Sequence, residues 1–222
     1  MTATRLSAAG RRASIISAAR GVFARYGLEG ARTQQIARAA GVSEALVFRH
    51  FATKTHIYRA VLRDVIADQN RAFRSTPAAE PSTQGLLTMI DGLIAHALQG
   101  HAAHNAEGMR MVVGSLAGDG HYARLVYRRA LRLSEPGLTR ALEAAKADGG
   151  IAGQLITPAN ASALLEHVGT MIMMARCHEP SVVPYARDDA RLRTDAILFC
   201  ARGLGIAEER VDAYLRYASS PL

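Results

Sequence analysis

The chain has 222 residues, 49% of them hydrophobic and 21% charged, with a net charge of +8. A chain of this length forms one large or two small domains and can bury roughly 70% of its unfolded surface. No apolar run approaches the roughly 20 residues of a membrane helix, and the opening MTATRLSAAGRR carries charge but no hydrophobic segment like that of a secretory signal, so a cytoplasmic protein with no membrane partner is expected.

The excess charge is unevenly placed. Residues 1–54 hold nine Arg and Lys against Glu29 and Glu44, a net +7, which leaves +1 for everything that follows. A basic module joined to a near-neutral body is the electrostatic footprint of nucleic-acid binding. Cys177 and Cys200 are too few for a disulfide framework and lack metal-ligand spacing, so both read as reduced packing residues.

Residues 1–10 lack periodicity and read as an arm. A first helix is expected over about residues 10–26, because Ile15, Ala19, Val22 and Tyr26 recur at helical steps with Ile16 and Phe23 beside them; Gly27 stops it. Residues 33–54, TQQIARAAGVSEALVFRHFATK, then predict two short helices around a tight turn. Thr33 is expected to cap the first, whose inner face is Ile36, Ala37 and Ala40. Gly41 ends it in the left-handed region, and Ser43 caps the second, which runs through Val47 to Phe51. Two short helices about a glycine form the helix-turn-helix pattern, whose second helix can enter a DNA major groove. Ile15, Val22, Phe23, Ile36, Val47 and Phe51 make the core of this small bundle, which leans on a fourth helix from Lys54 with Ile57, Val61, Leu62 and Val65 on one face.

Beyond the linker STPAAEPSTQG the pattern stays helical. Leu86, Met89, Ile90, Leu93, Ile94 and Ala97 stripe a fifth helix closed by Gly100. A sixth covers about residues 105–116, and a seventh about 122–146 with Pro136 breaking or kinking it. An eighth starts at Thr157-Pro158, a cap followed by proline at the first helical position, with Leu164, Val168, Met171 and Ile172 on one face. A ninth aligns Leu192, Ala196, Phe199 and Cys200, and a last helix covers about 208–217. No alternating strand pattern occurs, so the fold is expected to be all-α.

The stretch RRASIISAARGVFARYGLEGARTQQIARAAGVSEALVFRHFATKTHIYRAVL, residues 11–62, resembles the TetR family of bacterial transcriptional regulators. The features that carry the resemblance are the aromatic-Gly at the end of the first helix, the Thr before the second, IARAAGVS, and VFRHFATK. The resemblance implies a three-helix DNA-binding domain, residues 1–54, and a helical ligand-binding and dimerisation domain, residues 55–222. It implies a homodimer on a palindromic double-stranded operator, released when a small-molecule effector reshapes the fourth helix.

Thr33, Gln34 and Ser43 are expected at the DNA backbone, although capping alone would also account for Thr33 and Ser43. The resemblance places Lys54 and His50 at phosphates too. Glu44, Ala45, Leu46, Phe48 and Arg49 are left to face the groove, because Val47 and Phe51 are needed inside. Arg49 suits a bidentate contact to guanine, with a phosphate contact as its alternative. Three positions depart from the family's usual residues: Glu44 for lysine, Leu46 for Thr or Asn, and Phe48 for Tyr. The operator sequence is therefore left open. Arg5 in the arm suits a minor groove or a free tail.

No nucleophile elbow, glycine-rich phosphate loop or Cys-x-x-Cys is present, so no enzyme activity and no cofactor are expected. His96, His101 and His104 lack the spacing that puts two metal ligands on one helical face, and no metal is expected. Met89, Leu93, Met109 and Met171 are either core or the lining of an apolar effector site, with His96, Tyr127 or His167 meeting a polar end. Leu164, Val168, Ile172, Leu192, Ala196, Phe199 and Cys200 are either internal core or the face of a symmetric dimer. The expected function is a homodimeric repressor that an apolar or amphipathic ligand releases from DNA. The alternatives are an activator, a ligand-independent DNA-binding protein, or an all-helical enzyme or carrier.

Overall fold

The computed structural model describes residues 6–75, 79–99, 103–176, 182–185 and 188–218, without the side chains of 69, 72–75 and 103–106. Arg5, Gly100, His101 and Cys177 lie outside the described residues, as does the side chain of His104. Among the described residues the chain is all-α: ten helices, with one isolated bridge pairing Ile151 and Ile206. It divides into two compact units, Met1–Thr76 with Glu107–Val126 and Pro77–Ala106 with Tyr127–Leu222.

The first unit holds α1 (Ala8–Gly30), α2 (Thr33–Ala39), α3 (Glu44–His50) and α4 (Lys54–Ser75). It also takes in most of α6 (Ala103–Ala117) and the first residues of α7 (His121–Ala147), so it extends well past residue 54. The reason is packing: Ile15, Ala19, Val22 and Phe23 of α1, Ile36 of α2, Val47 of α3 and Phe51 are buried together with Ile57, Val61 and Val65 of α4. Phe23 and Tyr58 add an edge-to-face contact at 5.0 Å. Tyr26, expected on the inward stripe, is exposed instead. The helical path breaks directly after it, where Gly27 adopts φ 66° and ψ −178°, a conformation that only glycine enters freely.

The second unit holds α5 (Thr83–Leu98), the rest of α7, α8 (Pro158–Ala175), α9 (Asp189–Gly203) and α10 (Glu208–Ala218). α5 packs on α8 and α9, burying Leu86, Leu87, Ile90, Ile94 and Ala97. α7 continues through Pro136, so of the expected break or kink the break is excluded. Pro136 is exposed, as is Arg132, the residue whose carbonyl it deprives of a helical partner. Asp148 joins the unit's loops: its carboxylate accepts from the Thr83 N–H at 2.9 Å and hydroxyl at 2.6 Å, and from the Gly150 N–H at 3.0 Å. These bonds hold its carboxyl below the usual range, the Thr83 hydroxyl contributing most.

Candidate functional site

α3 is short, so its orientation depends on its ends and its buried side. Ser43 caps it, its Oγ accepting from the Leu46 N–H at 3.2 Å. Gly41 before it takes φ 63°, in the left-handed region. Val47 and Phe51 point into the unit, which leaves Glu44, Ala45, Phe48 and Arg49 exposed along the outer side and Leu46 and His50 half-buried at its margins. Phe48 is 46% exposed, a large ring facing outward with no core role. Four of the five residues that the inward demand of Val47 and Phe51 leaves over are exposed, and the fifth, Leu46, is half-buried.

At the head of α2, Thr33 is the first helical residue rather than the cap. Arg32 occupies the cap position, its N–H donating to Gln35 Oε1 at 2.8 Å. Thr33 is thus half-buried in the first turn, with Gln34 exposed beside it. α4 is capped by Thr53, whose hydroxyl accepts from the His56 N–H at 3.2 Å. Lys54 Nζ donates to the carbonyls of Glu29 at 3.2 Å and Ala31 at 3.0 Å, tying the start of α4 to the end of α1.

The charge count also needs a structural correction. Arg20, one of the nine basic residues of the module, is buried, 2% exposed. Its guanidinium lies 2.7 Å from Asp68, 3.8 Å from Asp64 and 3.7 Å from Glu107. Its charge is spent inside the unit and adds nothing to a binding face. Arg12 is partly engaged as well, its guanidinium 4.6 Å from the centre of the Phe51 ring. Arg32, Arg38 and Arg49 remain exposed.

Residues 15–61 match the family model for bacterial regulatory proteins of the tetR family. This segment is similar to the matching part of tetR-family regulatory proteins. It is 39% identical over 56 residues to the HTH-type transcriptional regulator RutR of Escherichia coli (strain K12), which is 25% of this chain and 26% of that protein. The chain therefore spans about a quarter of the length of the curated relatives it matches. Over nearly its whole length it has the fold of solved TetR-family structures. A bacterial regulatory protein of the tetR family from Rhodococcus RHA1 matches at 20% identity and TM-score 0.65, covering 91% of this chain and 100% of that one. A gamma-butyrolactone receptor, ArpA-like, matches at 20% identity and TM-score 0.63, covering 96% and 97%.

Around this TetR-type segment, the residues expected to line an effector site divide. Met109 belongs to the first unit; Met89, Leu93, His96, Tyr127, His167 and Met171 belong to the second. Within the second unit, Tyr127 and His167 are brought together, edge to face at 5.3 Å between ring centres. Burial raises the Tyr127 hydroxyl above its ordinary range, with the Glu166 carboxylate adding to the shift. Glu166 was missed in the sequence, where it reads as one more solvated charge. Leu93 packs on Gly169, where a Cβ would approach it to 3.3 Å. Met171 faces away: with Leu164 and Val168 it forms one stripe on the outer side of α8, 48% exposed beside Leu164 at 58%.

The dimer stripe divides in the same way. Ile172, Leu192, Ala196 and Cys200 are buried within the unit, whereas Leu164 and Phe199 are exposed, Phe199 by 69%. Burial pushes the Cys200 thiol up to about 11, so it stays protonated and unreactive. Among the described residues no group of three His, Cys, Asp or Glu is placed to hold a metal ion, and no helix is long and apolar enough to cross a membrane.

Proposed function

We propose that the chain is a cytoplasmic, homodimeric DNA-binding transcriptional repressor, not an enzyme, that a small apolar or amphipathic effector releases from a palindromic operator. The observation that carries this reading is α3: a capped helix holding Val47 and Phe51 inside while presenting Glu44, Ala45, Phe48 and Arg49 outward, within a segment that matches a regulator family. Residues 1–54 are the DNA-contacting part, and residues 55–222 dimerise and bind the effector. Arg49 reads a base edge. Thr33, Gln34, Ser43, His50 and the remaining proton of Lys54 meet phosphates, with Leu46 at the rim of the groove contact.

Leu164, Met171 and Phe199 are the apolar residues that a second copy covers, since three large exposed side chains on α8 and α9 are an unfavourable surface for a monomer. The effector binds among Met89, Leu93, His96, Tyr127 and His167, and it acts through its different affinity for the DNA-bound and free states. A gel shift with the DNA upstream of the chain's own gene tests the reading. A retarded band that weakens steeply with salt, and protein that elutes as a dimer unless Phe199→Glu is introduced, are the expected results. Equal binding to every duplex, or a monomer at micromolar concentration, would overturn it.

A further inference from the structure

The inward face of α8 carries a carboxylate that the fold leaves without a fixed counter-charge. Ser162, Glu166, Gly169 and Met173 follow one another at helical spacing. The Ser162 hydroxyl lies 2.8 Å from that of Ser134 on α7; Gly169 meets Leu93 of α5; Met173 is buried. Glu166 therefore points between α5 and α7. It is half-buried, and among the described residues its carboxylate makes no hydrogen bond and no ion pair. The titratable groups facing it are His96 from α5, its neighbour His167, and Tyr127 from α7, with no lysine or arginine among them. Burial raises the Glu166 carboxyl above its ordinary range in spite of the two histidines.

α7 presents Ala130 and Ser134 on the same side as Tyr127. Met89 and Leu93 continue the α5 stripe on which His96 lies, both half-buried. A desolvated carboxylate without a cation is an unfavourable arrangement that a ligand's positive charge would relieve, and an aromatic face next to it adds cation–π attraction. An anionic ligand would meet repulsion at the same place.

We propose that Glu166, with Tyr127 and His167 beside it, binds the ammonium end of an amphipathic effector whose apolar part lies along Met89, Leu93 and Met173. This rests on the effector reading above and names the effector's chemistry. The step is simple ion pairing, and it favours the ionised carboxylate, so binding should release a proton from Glu166 and weaken as pH falls.

The test is calorimetric titration of the full chain with octylammonium, octanoate and 1-octanol at about pH 8, repeated with Glu166→Gln. Octylammonium is expected to bind about tenfold or more tighter than the other two, and Glu166→Gln should bring it to the level of octanol while octanol binding is unchanged. Octanoate or octanol binding as tightly as octylammonium, or a preference that survives Glu166→Gln, refutes the ammonium assignment and leaves an effector site of other chemistry standing. Binding of none of the three refutes both.

Discussion

Asp91→Ala should cost the second unit about 3 kcal/mol, because one carboxylate joins three helices there. Asp91 sits buried on α5 and accepts from Arg193 of α9 through Nε at 2.6 Å and Nη2 at 2.7 Å. It also accepts from the Tyr214 hydroxyl of α10 at 2.7 Å. The bond from Asp91 raises Arg193 above its usual range; burial, then the same carboxylate, pushes Tyr214 up to about 12. Breaking a fully buried ion pair costs about 3–5 kcal/mol, but the Arg193 side chain is 43% exposed and rehydrates. Its share falls toward the value of a surface pair, about 1 kcal/mol. The buried Tyr214 hydroxyl loses its acceptor at about 2 kcal/mol. Urea denaturation at fixed protein concentration measures the sum, and the midpoint should fall by about 1 M or more. Asp91→Asn keeps an acceptor for Tyr214 and loses the charge, so it should cost less than Asp91→Ala. A loss below about 1 kcal/mol for Asp91→Ala, or equal damage from both substitutions, would refute the reasoning.

Arg20→Met should destabilise the first unit by about 1–3 kcal/mol, since Asp64 and Glu107 lose their central cation while these partly exposed carboxylates rehydrate and Arg71 still pairs with Asp68. It should leave the salt dependence of DNA binding unchanged, because a buried guanidinium releases no counterions; a shallower slope would contradict its internal role. Arg49→Ala should relax preference at one base pair, at a cost of about 1–3 kcal/mol on the preferred duplex. Lys54→Ala should weaken binding to all sequences alike and also lower the melting temperature, as it removes the tie to the Glu29 and Ala31 carbonyls. Competition binding on randomised duplexes, read beside a melting curve, would expose either assignment as wrong. Asp148→Asn tests a depressed carboxyl. A lowered folded-state value contributes stability above the ordinary aspartate pKa of about 3.9 and loses it as pH falls below that. The gap in urea midpoint between parent and variant should therefore narrow below about pH 4, and a constant gap would rule the contribution out.

What the sequence determined by itself is the part of the protein governed by near neighbours. Ser43 capping, the left-handed turn at Gly41 and the sorting of Val47 inward from Arg49 outward depend on spacings of a few residues, so helical periodicity and cap chemistry specify them locally. The same rules misplaced the α2 cap by one residue, because the Arg32 N–H found its partner in Gln35. The fates of charged side chains, by contrast, depend on contacts between distant segments. Arg20 counts as surface charge until Asp68, 48 residues away, is folded against it. Asp91 interrupts an apolar stripe without explanation until Arg193 and Tyr214 arrive from 102 and 123 residues away. Glu166 looks solvated until α5 and α7 close over its side of α8. The physical reason is the same in all three: whether a charge is favourable depends on the dielectric around it and the partner beside it, and both are supplied by distant parts of the chain.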